Sequence, residues 1–167
     1  MNLSLEQSRE GDPPLALATA VRAIELGGGA MAWNNAGLAL FTLRRLDEAG
    51  AHFTEAARLD PGRALFWSNL GAVRLDQGRL AEAERVLREE ALRRDPDQPL
   101  AHMNLGALYL QQDRPDLAGP ALERAGALAA PDQRARRARA LARWSGAARA
   151  TARSSAGPAR SGRSCWR

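Results

Sequence analysis

FWSNLGAVRLDQGRLAEAERVLREEALRRDPDQ, residues 66–98, decides the architecture because it returns on either side of itself. AWNNAGLALFTLRRLDEAGAHFTEAARLDPGR precedes it from Ala32, and AHMNLGALYLQQDRPDLAGPALERAGALAAPDQ follows it from Ala101. Gly37, Gly71 and Gly106 lie 34 and 35 residues apart, and Pro61, Pro96 and Pro131 lie 35 apart each time. Twelve residues after each glycine comes an alanine (Ala49, Ala83, Ala118), and four further on a bulky apolar residue (Phe53, Leu87, Leu122). Agreement at several independent positions marks a true internal repeat.

Each unit reads as two helices. Trp33, Ala36, Gly37 and Leu40 share one face at i, i+3, i+4, i+7, as do Trp67, Leu70 and Gly71, and His102, Leu105, Gly106 and Tyr109. The second helix presents Ala49, Phe53, Ala56 and Leu59 in the first unit, and Ala83, Leu87 and Ala91 in the second. An extra residue within Arg88–Arg94 accounts for the longer interval. The breaks at Arg44–Leu46, Gly78–Leu80 and Asp113–Pro115 are short enough to force antiparallel packing. Asp60-Pro61 and Asp95-Pro96 end the second helices, because proline blocks helix continuation and restricts the residue before it. Mid-helix glycine costs about 1 kcal/mol relative to alanine. Three in one register imply a close approach, expected to be to the small alanine of the neighbouring helix.

This pattern resembles the tetratricopeptide repeat, whose signature W-x2-L-G-x2-Y…A-x3-F…P is followed by Trp33…Pro61, Trp67…Pro96 and His102…Pro131. Arg74 departs from the aromatic position, and His102 stands in place of tryptophan. The resemblance implies an all-α helix–turn–helix solenoid, a right-handed superhelix. The expected organisation is a partial repeat at 1–29, repeats at 30–63, 64–98 and 99–131, a capping helix at 132–148 and an Arg-rich disordered tail at 149–167. In the partial repeat, Leu3 to Glu10 is a shortened first helix and Pro14 to Leu26 a second one with Ala16, Ala20, Ala23 and Leu26 on its seam. In the capping helix, Ala135, Ala138, Leu141 and Trp144 form one stripe.

The family's groove, lined by first helices, binds extended peptides or a partner helix. Opposite the buried seam, at about 100° per residue, lie Met31, Asn35, Leu38 and Thr42, then Leu65, Asn69, Ala72 and Asp76, then Leu100, Asn104, Ala107 and Gln111. Asn35, Asn69 and Asn104 each precede the repeat glycine by two residues. A carboxamide both donates and accepts, so it suits a peptide backbone. The row is similar to the asparagine ladder of repeats attached to protein O-GlcNAc transferases, with Asn69 the most central rung. The alternative use in the family, a carboxylate clamp of Lys, Arg and Asn, finds Asn34, Leu38, Ala72, Leu100 and Asn104 in its register and only Asn69 as a counterpart.

The chemistry of other classes is absent. One cysteine, Cys165, excludes an internal disulfide framework. Two histidines, His52 (surface or rim) and His102 (packed at the core edge), form no metal or triad motif, and Gly27-Gly28-Gly29 lacks the following GK[ST] of a phosphate loop. Glu82, Glu84, Glu89 and Glu90 read as a solvated face paired with Arg85, Arg88 and Arg93. No enzyme and no cofactor are expected. No apolar run approaches the roughly 18 residues of a membrane span, and the N-terminus has acids and no apolar segment, which points to the cytoplasm.

The formal net charge of +5 is uneven: −4 over residues 1–131 and +9 over residues 132–167, with 24 arginines and no lysine. An Arg-rich tail can neutralise phosphates, but only Trp144 and Trp166 could stack on bases, so nucleic acid is not the expected partner. The expected partner is a protein or peptide; the composition sets no oligomeric state. A second reading makes the chain the repeat portion of a larger enzyme such as a glycosyltransferase, motivated by the short first helix at Met1.

Overall fold

The computed structural model describes residues 12–128. The shortened first helix, the capping helix, the Arg-rich tail and Pro131 lie outside the described residues. Helix α1 (Pro13–Glu25) starts at the N-cap Asp12, with proline in its first turn. Three helix pairs follow: α2 (Ala30–Thr42) with α3 (Leu46–Leu59), α4 (Ala64–Asp76) with a composite second helix, and α7 (Pro99–Gln111) with α8 (Pro115–Leu128). The composite helix is α5 (Leu80–Arg85), a π-helical turn π1 (Val86–Ala91) and α6 (Leu92–Arg94). The described chain is thus an all-α solenoid of helix–turn–helix units, as the repeat predicts.

The π turn is where the second unit absorbs its extra residue, since one inserted residue in a helix widens one turn to i→i+5 bonding. It overlaps the Arg88–Arg94 segment and sits about half a turn earlier. Beyond it the side chains are rotated. Arg94, rather than Arg93, reaches Glu90 at 2.6 Å, and the Arg94 guanidinium lies 4.8 Å from the centre of the Trp67 ring. Of the expected pairs on this helix, Arg88 does meet Glu84, at 3.3 Å.

Within each pair the turn has one shape. Arg44, Gly78 and Asp113 hold positive φ of 62°, 73° and 56°. The next amide returns five residues: Arg45 to Leu40, Arg79 to Arg74 and Arg114 to Tyr109, at 2.9, 2.8 and 2.8 Å. This satisfies carbonyls that the first helix leaves open. Gly78 adopts that backbone without strain and Asp113 with less strain than most residues, so Asp113→Gly should stabilise the chain by about 0.5 kcal/mol and Gly78→Ala should cost about 1 kcal/mol. Urea midpoints of opposite sign at equivalent turns check this.

The core runs across repeat boundaries. Leu40, Ala49 and Phe53 of the first full repeat pack with Leu70, Val73 and Val86 of the second. Ala83, Leu87 and Ala91 pack with Ala101, Leu105, Leu108, Tyr109 and Ala118 of the second and third. Trp67 packs against both clusters and against a third formed by Ala56, Ala57 and Phe66. No repeat buries its apolar face alone, which is the logic of a solenoid.

The glycines do permit a close approach, but not to alanine. A Cβ at Gly37 would lie 2.7 Å from the Phe53 ring, and at Gly71 and Gly106 it would lie 2.5 Å from Leu87 and Leu122. The bulky residue of the second helix therefore fills the space of the missing side chain, while the alanine packs beside it.

Two seam assignments also change. Leu59 is 44% exposed, and Ala57, one turn after Phe53, is buried instead. In α1 only Ala20 is buried; Ala16 is exposed, and Leu26 lies past the helix end in the C-cap, 71% exposed. Leu17 takes the inward position and packs on the first core cluster.

At the position where His102 replaces tryptophan, the tryptophan's hydrogen bond is kept. Trp67 donates Nε1–H to the Pro61 carbonyl at 3.1 Å, and His102, in the same register, bonds the Pro96 carbonyl through Nε2 at 2.8 Å. A carbonyl only accepts, so His102 carries its proton on Nε2. Arg74 lies over Gly50 and pairs with Glu82 at 3.3 Å, an ion pair where the signature has an aromatic. In the third repeat Tyr109 is buried and donates to Glu84 at 3.1 Å. Burial and the Glu84 charge hold its pKa above the usual tyrosine value. Trp33 has the remaining variant: its ring tilts against His52 at 5.2 Å, which seats His52 half-buried at the rim.

Candidate functional site: the inner helix face

The first helices of the three pairs, α2, α4 and α7, form one layer. They touch one another directly, whereas α3 and the composite helix pack chiefly on the first helices to either side, and α8 on α7. Contact between the first helices puts the face of α2, α4 and α7 turned away from their partners on the inner side of the stack.

On α2 this face is open. Met31 and Leu38 are 42% and 43% exposed, and Asn35 and Thr42 are exposed between and beyond them. The same helix buries Ala32, Asn34, Ala36, Gly37, Ala39 and Leu40. Thr42 donates its hydroxyl to the Leu38 carbonyl at 3.0 Å, a bond within its own helix. On α4, flanked on both sides, Leu65 and Ala72 are half-buried and Asp76 is exposed. On α7, Leu100 is half-buried, and Ala107 and Gln111 are exposed. Of the predicted lining set, all but Asn69 and Asn104 are thus exposed or half-buried.

The asparagines divide. Asn35 is exposed, but Asn69 and Asn104 retain 6% and 7% of their surface. Asn69 Nδ2 donates to Asn34 Oδ1 at 2.7 Å, from α4 to α2. Asn104 Nδ2 donates to the Ser68 backbone carbonyl at 3.0 Å, from α7 to α4. Asn34 is 1% exposed and Ser68 fully buried. Position by position, each asparagine reaches the residue one place earlier in the preceding repeat. These amides join consecutive helices beneath the groove floor. Asn34 is the residue that sequence reasoning missed in this role; its i, i+3 relation to the seam residue Gly37 was the available signal.

Charge is nearly absent from the face. Asp76 is ion-paired with Arg44 of the preceding turn. At the opposite end Arg63 pairs with Asp60 at 3.1 Å and points a guanidinium nitrogen at Met31 Sδ, 3.4 Å away. The depressions elsewhere are open and of mixed charge. One along the outer helix is lined by Ala81, Glu84, Arg85, Arg88, Glu89 and Arg93, and one at the turns by Arg44, Leu46, Asp47, Gln77 and Arg79. Among the described residues no three His, Cys, Asp or Glu gather as a metal site, and no helix is long and apolar enough to cross a membrane.

A curved stack of helix pairs with a weakly charged inner face defines a helical-repeat scaffold, the class of fold used generally for protein interaction. The chain belongs to the tetratricopeptide repeat family, matching it over residues 2–64 and 69–134, with a second match over 40–89. Solved structures with the same fold include MamA, at 21% identity and a TM-score of 0.61, covering 76% of this chain and 74% of that one. The TPR domain of Arabidopsis OM64 is 21% identical with a TM-score of 0.56, covering 60% and 82%. The first TPR domain of Spaghetti (RPAP3), bound to the HSP90 peptide SRMEEVD, is 20% identical with a TM-score of 0.56, covering 68% and 94%. No curated protein matches the chain.

Proposed function

We propose that this chain is an interaction scaffold whose concave face holds an extended peptide segment of a partner protein. The observation that carries the reading is the open row on α2: Met31, Asn35, Leu38 and Thr42 stay exposed on a helix that buries its other side. Leu38 and Met31 supply apolar contact. Asn35, whose Oδ1 accepts from Asn34 Nδ2 at 3.5 Å, offers its Nδ2 to a peptide backbone, and Asn69 and Asn104, buried at 6% and 7% exposure, add only the amide edge that their ties to neighbouring helices leave. Ala72 and Ala107 leave room for ligand side chains, and Thr42, Asp76 and Gln111 line the far end. Capture of a peptide by the RPAP3 domain supports this use of the fold.

Leu38→Asp places a charge on the centre of that row without touching the core. Peptides selected on the full chain from a displayed library should bind this variant at least about tenfold more weakly, a loss of roughly 1.4 kcal/mol, and Asn35→Ala more weakly by a smaller factor. Fluorescence anisotropy with unchanged circular dichroism measures it. Equal affinity for the wild type and both variants would remove the concave face from the function.

A further inference from the structure

We infer that the concave face selects an uncharged segment from the middle of a partner chain and turns away acidic C-terminal tails; this rests on the peptide-binding reading above. Among the described residues, α2 and α7 contain no Asp, Glu, Lys or Arg, and α4 contains only Arg74 and Asp76. Arg74 is not on the face: its side chain is 20% exposed and is held by Glu82 at 3.3 Å and Gln77 at 2.9 Å, over Gly50 of α3. The two arginines that reach the ends of the face are already matched, Arg44 by Asp76 and Arg63 by Asp60.

Among the described residues, a carboxylate against α2, α4 and α7 therefore finds no free cation. It must either displace Asp76 or Asp60 from its partner or lose water with no replacement, and an unpaired charge taken from water is costly. An α-ammonium group finds Asp76 held by Arg44, so on α2, α4 and α7 neither terminus of a peptide meets a free opposite charge. A neutral internal segment carries no such penalty and gains the apolar surface of Met31 and Leu38, 42% and 43% exposed.

The test uses the full chain and two sets of labelled peptides of about ten residues, longer than the roughly six that cross three helices spaced about 10 Å apart. One set is uncharged, acetylated and amidated. The other carries the same sequences ending in two glutamates and a free carboxylate. The uncharged set should bind at least about tenfold more tightly, a difference of roughly 1.4 kcal/mol. Leu38→Lys, at an exposed position, should narrow that gap by strengthening the acidic set. Acidic peptides binding as well as or better than neutral ones, with Leu38→Asp abolishing that binding, would overturn this selectivity while leaving groove binding in place. If Leu38→Asp changes neither set, or neither set binds, the peptide-binding reading falls and the selectivity falls with it.

Discussion

Phe53→Ala should lower unfolding stability by about 3–5 kcal/mol, and it should invert the effect of a second substitution sixteen residues away. In the native chain Gly37→Ala forces a Cβ to within 2.7 Å of the Phe53 ring, whose residue is 1% exposed. Overpacking of that kind costs about 1–3 kcal/mol and outweighs the gain of about 1 kcal/mol that alanine brings to a helix interior. Once the ring is gone, the same alanine enters empty space and should stabilise. Gly126 is the control, since nothing lies within 4 Å of its absent Cβ. There alanine should help in any background. Urea titrations followed by far-ultraviolet circular dichroism, arranged as a double-mutant cycle, give the sign directly. A stabilising Gly37→Ala in the otherwise native chain would mean that the ring does not occupy the glycine's space.

Asn69→Ala with Asn104→Ala should together cost about 2–4 kcal/mol, although both positions belong to the predicted binding row. The larger share should come from Asn69, because its loss strands the Oδ1 of Asn34, a residue 1% exposed. Ser68 keeps the helical bond of its own carbonyl when Asn104 is removed, so that change costs less. Asn35→Ala, at an exposed rung, should leave stability within about 0.5 kcal/mol. Denaturant midpoints of the single and double variants check the ranking. Weakened binding in the Asn69 and Asn104 variants must then be read against their loss of stability, and Asn35 is the clean probe of backbone contact.

The register was legible because glycine, alanine, the bulky residue and proline recur with fixed spacing, and each has a separate physical reason to do so. Helix pairing, the turn positions and the open row on α2 followed from that register. What filled the glycine notch did not, because periodicity places Ala49 and Phe53 on one face without saying which of them crosses to Gly37. The asparagine ties were hidden for a related reason. A wheel drawn on one helix shows Asn69 pointing away from its own partner helix, whereas its burial comes from α2, one repeat earlier. The π turn showed itself only as a length, 35 in place of 34, and its consequence for Arg94 and Trp67 needed the rotation that the widened turn imposes.

The most direct test of the central claim is where on the chain a selected peptide lands. Titrating the isotopically labelled full chain with such a peptide and following backbone amide shifts should move Asn35, Leu38, Ala72 and Ala107 together, with α3 and α8 little affected. Shifts concentrated on the second helices, or at the turns around Arg44 and Arg79, would contradict it.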